Sequence, residues 1–154
     1  MIYHTRKAIH DLAILQLGAG NDLRDYKTIR MGDWKEVPIQ EQPSLSIEWG
    51  GNLSVEEHGN PFEVDFDIHL VTKCSAPLDP DEAEKFAELL LWSLNETSDW
   101  GLIPFLRENR KITIAGTPLT VLLTMRDSET VIEGTPEHSY SCSCITVVNC
   151  KTMR

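Results

Sequence analysis

A chain of 154 residues, 41% hydrophobic and 25% charged, is long enough to bury one core and too apolar for wholesale disorder. No apolar run approaches the roughly 20 residues of a membrane-spanning helix. A formal charge of −10 argues against a surface that grips nucleic acid as a whole. Residues 1–35 hold six Lys/Arg against four Asp, so the negative excess lies entirely in the remainder.

The N-terminal MIYHTRKAIHDLAIL has an acid inside its apolar part and no small-residue cleavage site, so it does not read as a signal peptide. A cytoplasmic origin is expected, with Cys74, Cys142, Cys144 and Cys150 reduced. A helix is expected from about Thr5 to Leu17, with Ala8, Ile9, Leu12, Ala13 and Gln16 on one side. Thr5 is its expected N-cap and Gly18 its stop. Residues 22–43 lack periodicity and read as a long connection, with a short strand or turn near Trp34. Arg24, Lys27 and Arg30 are interleaved with Asp22, Asp25 and Asp33, which weakens any nucleic-acid patch there.

Ser44–Trp49, SLSIEW, alternates Leu45, Ile47 and Trp49 inward and reads as a short strand. Residues 50–61 are too long for a tight turn and are expected to form a flexible loop or a protruding ribbon. The central strand is Phe62–Lys73, FEVDFDIHLVTK. Phe62, Val64, Phe66, Ile68 and Leu70 lie on one face, and Glu63, Asp65, Asp67 and His69 on the other.

Asp79, Pro80 and Glu82 then give a strong helix start. Ala83, Phe86, Ala87, Leu90 and Leu94 form the apolar stripe of that helix, while Trp92, with Leu89 near it, points the opposite way. An aromatic on a charged face is either a contact anchor or a side chain covered by another part of the chain. A short helical turn is expected within Trp100–Glu108, then strands at Lys111–Ala115 and Leu119–Met125 around a Gly116-Thr117-Pro118 turn. Arg126–His138 reads as a polar loop and Tyr140–Val148 as the last strand. These elements make one α+β domain over residues 1–154. Its expected core is a mostly antiparallel sheet of four to five strands with two main helices packed on one face.

Chemistry is sparsely signalled. The chain has no GxSxG elbow, phosphate loop or GxGxxG, and its five histidines show no HExxH spacing. Asp65, Asp67 and His69 at i, i+2 and i+4 suit a divalent cation, but a solvated strand face gives the same pattern more often. The cysteines form no CxxC pair, so small half-buried thiols are the better reading than a metal site. No metal, cofactor or catalytic residue is expected.

The order of PSLSIEW, an acid-rich Gly loop, FEVDFDIHLVTK, DPDEAEKFAELLLWSL and YSCSCITVVN resembles the tail-terminator (tail-completion) proteins of long-tailed bacteriophages. The resemblance implies a structural virion protein rather than an enzyme, assembled in the host cytoplasm into the tail or neck. Such proteins form a hexameric ring that caps the tail tube, stops its polymerisation and meets a head-completion or neck protein. DNA passes through the ring without specific binding, and no membrane is involved. Leu89, Trp92, Leu53 and Val55 are then the candidate subunit or tube contacts, and Glu63, Asp65 and Asp67 the candidate DNA-repelling or interface face. Another neck component is the alternative, with a small metal-binding enzyme or sensor behind it.

Overall fold

In the computed structural model the described residues are 1–18, 26–33, 35, 37–56, 63–77, 81, 85, 101–134 and 139–153. Helix α1 spans Ile2–Gly18, because Thr5, Ile9, Ala13 and Leu17 repeat every fourth residue and give it one buried stripe. Thr5 is inside this helix rather than its cap. Its N–H donates to the Met1 carbonyl at 2.9 Å, and its buried hydroxyl has no partner among the described residues. Helix α2 spans Leu102–Glu108. Gly101 caps it in an extended conformation, and Pro104 falls in the first turn, where its missing N–H costs no helical bond. The predicted Asp79-capped helix lies outside the described residues, save that Asp81 and Lys85 are helical.

The strands are β1 (Thr28–Met31), β2 (Ser44–Trp49), β3 (Ser54–Glu56), β4 (Glu63–Pro77), β5 (Lys111–Thr113), β6 (Thr120–Gly134) and β7 (Ser139–Met153). They form one seven-stranded sheet ordered β1-β2-β4-β7-β6-β5, with β3 also on β4. The α+β class holds, but the sheet is larger than the expected four to five strands and is mixed. The pair β1–β2 is parallel, Thr28 opposite Ser44 and Met31 opposite Ile47. The short strand in the 22–43 connection is therefore TIRM; Trp34 lies outside the described residues. Four residues following a polar segment are too few to show a period.

One face of the sheet holds the core. Phe66, Ile68, Leu70, Thr72 and Cys74 of β4 stand opposite Cys150, Val148, Thr146, Cys144 and Cys142 of β7. All of these are buried. Ile9, Ala13 and Leu17 of α1 and Leu102, Ile103 and Leu106 of α2 join them in one hydrophobic cluster. Leu45 and Ile47 of β2 point inward as expected, whereas Trp49 at the end of that strand is 44% exposed.

The hairpin β6–β7 shows the largest departure from the sequence reading. Arg126–Gly134 is strand rather than loop: after a bulge between Met125 and Ser128 the ladder resumes at Ser128–Thr146 and runs to Gly134–Tyr140. This segment reads as polar because much of it is exposed, Glu129, Thr130, Ile132 and Glu133 included. It is the outer strand of the hairpin, so its alternation is not enforced by a core on either side.

Candidate functional site

Where β2 ends, Gly50 lies so close to β4 that its N–H donates to the Asp67 carbonyl at 2.7 Å. A Cβ at Gly50 would stand 2.9 Å from His69 Nε2 and 3.1 Å from that carbonyl oxygen, so only glycine fits without displacement. Gly51 follows with φ +83°, a left-handed turn that releases the chain from the sheet. Two glycines thus build the ribbon anticipated between Trp49 and the central strand, and β3 returns along β4 with Val55 opposite Val64.

The ribbon and the outer face of β4 are stitched by asparagines. Asn52 Nδ2 donates to Asp67 Oδ2 at 2.9 Å, and its Oδ1 accepts the Asp67 N–H at 2.9 Å. The indole N–H of Trp49 donates to the Asn52 carbonyl, also at 2.9 Å. From β7, Asn149 Nδ2 donates to Asp65 Oδ1 at 2.6 Å and to Asp67 Oδ1 at 3.0 Å. At the end of the row Glu63 meets Lys151 at 3.4 Å. The structure therefore brings Glu63, Asp65 and Asp67 together with Asn52 and Asn149, two residues that the sequence did not single out. Their signal was faint, since a polar residue after VV in the last strand and an Asn in a glycine turn are both ordinary.

The chemistry follows from the type of donor. Amides are neutral, so they orient the Asp65 and Asp67 carboxylates without cancelling their charge. Among the described residues no group of three His, Cys, Asp or Glu is arranged to hold a metal ion. His69 faces Gly50 rather than converging with the two carboxylates on a cation.

Asn149 sits at the junction of both carboxylates, which makes it the residue to test. Asn149→Asp replaces two charge-assisted bonds by two repulsions and is expected to lower stability by about 2–3 kcal/mol, more at low salt. Asn149→Ala, which only removes the bonds, is expected to lose less. Denaturant melts at two salt concentrations check this; equal, salt-independent losses would mean that the amide matters only for packing.

Apolar side chains lie on the same ribbon but on the other face of the sheet from the acidic row, Trp49 opposite Ile68 and Val55 opposite Val64. Leu53 and Val55, predicted as contact residues, are 53% and 51% exposed on the ribbon, next in the chain to the half-exposed Trp49. Trp49 also lines an open cleft of about 400 Å³ with Arg6, Gly32, Asp33, Lys35 and Glu48. Arg6 anchors its wall by donating from Nε and Nη2 to the Ile47 carbonyl at 3.2 and 3.1 Å. Leu89 and Trp92, the other two predicted contacts, lie outside the described residues.

Cys74, Cys142, Cys144 and Cys150 are free and buried on the core face. Burial pushes the Cys74 thiol up to about 11, with the neighbouring Cys142 adding to it. Burial also pushes Cys150 up to about 12, helped by Asp67 and Asp65. Thiols held this firmly protonated are poor nucleophiles. No family model matches the chain, and no curated protein does.

Proposed function

We propose that this protein is a structural virion assembly protein of the tail-terminator kind, which caps a phage tail tube, stops its growth and forms part of the head–tail joint. The observation that carries the reading is the β2–β3 ribbon, which presents Trp49, Leu53 and Val55 to solvent from a rigid sheet. Exposed apolar residues held on a hydrogen-bonded turn are a contact device, not a core defect. On the other face of β4, Asp65 and Asp67 are held by the neutral amides of Asn52 and Asn149 rather than by cations, which suits a surface that DNA must slide past. The remainder of the resemblance, a self-associating ring with a tube protein on one side and a neck protein on the other, is part of the same proposal.

The test is imaging of the purified chain mixed with tail tubes of the particle whose genome encodes it. Rings seated on tube ends, and tubes that cease to elongate, are expected. The double variant Leu53→Asp/Val55→Asp is expected to abolish seating while changing stability by less than about 1 kcal/mol, as suits exposed positions. A wild-type chain that ignores tube ends but binds the neck would move it to the neighbouring role. One that binds neither would remove the proposal.

A further inference from the structure

Strand β1 stops at Met31, opposite Ile47, while its parallel neighbour β2 runs on to Trp49. Gly32 makes the parting possible: its φ of +134° lies where L side chains are rarely found, and there the chain leaves the sheet. Beside the end of β2 is the open cleft of about 400 Å³ lined by Arg6, Gly32, Asp33, Lys35, Glu48 and Trp49. That volume is within the range of ligand sites.

Two of the lining side chains are already fixed in place. Arg6 donates from Nε and Nη2 to the Ile47 carbonyl at 3.2 and 3.1 Å, and the Trp49 indole N–H donates to the Asn52 carbonyl at 2.9 Å. Both anchors are neutral backbone oxygens, so they set direction and leave the guanidinium charge unbalanced. Among the described residues Arg6 has no ion pair, and its Nη1 has no hydrogen-bond partner. The side chain is part-buried. A cation drawn partly out of water without a counter-charge gains from an incoming anion, and one that is already fixed loses little freedom in binding it. The other charged groups are differently placed. Lys35 and Glu48 have partners of their own, and Asp33, exposed at the rim, accepts the Lys35 N–H at 2.8 Å. The Asp33 carboxylate opposes an anion and limits how tightly one is held.

We propose that this cleft binds a carboxylate standing beside an apolar side chain on a protein partner, with the carboxylate on Arg6 and the apolar group against the Trp49 indole. The planar fork of a guanidinium matches a carboxylate, and the indole, 44% exposed, is the apolar wall next to it. A nucleic-acid phosphate is the poorer fit, because it brings a run of like charges against a chain of net charge −10, which a single carboxylate does not. That the partner is a protein rests on the proposed function, since Trp49 belongs to both surfaces.

Small probes test the site on the free full-length chain, without tail tubes. N-acetyl-leucine carries a carboxylate at a chain end, N-acetyl-aspartyl-leucinamide carries one on a side chain, and N-acetyl-leucinamide carries none. At least one of the two acids is expected to shift the Trp49 indole and Arg6 Nε–H resonances saturably, and the tighter of them tells a chain terminus from a side chain. The amide is expected to leave both resonances unmoved. Arg6→Lys is expected to weaken the acid about tenfold, because an ammonium lacks the fork. Asp33→Asn is expected to tighten it about threefold by removing the opposing charge, while its amide oxygen still accepts the Lys35 N–H. This second variant keeps the test open should the Arg6 change loosen α1 on the sheet. An absence of saturable shifts, equal shifts from acid and amide, or preference for inorganic phosphate over both acids would overturn the inference and leave the capping of tail tubes standing. A chain that binds the acids but ignores tube ends and neck alike would overturn the proposed function alone.

Discussion

Phe66→Ala is expected to cost about 3–5 kcal/mol of folding stability, the largest loss foreseen for any single substitution in this chain. Phe66 is fully buried and stands in the middle of the core face, opposite Cys150 of β7 and in one cluster with α1 and α2. Truncation removes a ring that neighbours on two sheet strands cannot replace, because β4 is clamped between β2 and β7 and cannot collapse into the gap. Against a total stability of about 5–15 kcal/mol for a domain, that is a large share. Urea melts would read the loss directly. Trp49→Ala is the control: this larger aromatic is 44% exposed, so a change below about 1 kcal/mol is expected. Comparable losses in the two variants would mean that the ribbon is part of the core, and the case for it as a contact device would fall.

The same two residues show what the sequence could and could not reveal. Phe66 was legible because FEVDFDIHL alternates without interruption, and a period of two over that length admits little but a half-buried strand. Trp49 was misleading because SLSIEW continues the same alternation up to its last residue; the exit turn at Gly50-Gly51 lifts the indole off the core. Inside α1 the apolar spacing identified the helix and two of its buried residues, Ile9 and Ala13. The buried Leu17 and Thr5 were missed because a terminal residue and a hydroxyl carry little periodic signal.

The acidic site was half legible. Asp65 and Asp67 follow from alternation, but the amides that orient them come from a turn 13 residues before Asp65, Asn52, and from β7, Asn149. Register between strands distant in sequence is set by the whole fold, not by local pattern. The same limit hid the second half of β6, whose strand character depends on pairing with β7 across a bulge.

The buried thiols lead to the second large effect, a steep loss of stability in alkali. Cys74 and Cys150 have native-state values raised from the ordinary 9.0 to about 11 and about 12, and Cys142 and Cys144 are raised by burial as well. A raised value means that the folded chain keeps protons which the unfolded chain releases. The stabilisation is complete below pH 9 and declines as pH climbs through the native values, by about 1.4 kcal/mol per pH unit for each thiol. By pH 11 the loss from Cys74 and Cys150 together is expected to be on the order of 5 kcal/mol, enough to unfold a marginal domain. Melts in reductant at pH 7, 9, 10 and 11 would trace it. Cys150→Ala should flatten the slope by about one thiol's share, ~1.4 kcal/mol per pH unit, despite its own packing cost at neutral pH. Asp67 and Asp65 contribute to holding the Cys150 thiol protonated, so the acidic face and the core beneath it are electrostatically coupled. Neutralising both carboxylates with Asp65→Asn/Asp67→Asn should therefore lower the native Cys150 value. The gap to the unfolded value then narrows, so the alkaline loss levels off at a lower pH and is smaller in total. An unchanged profile in that variant would show that burial alone sets the thiol.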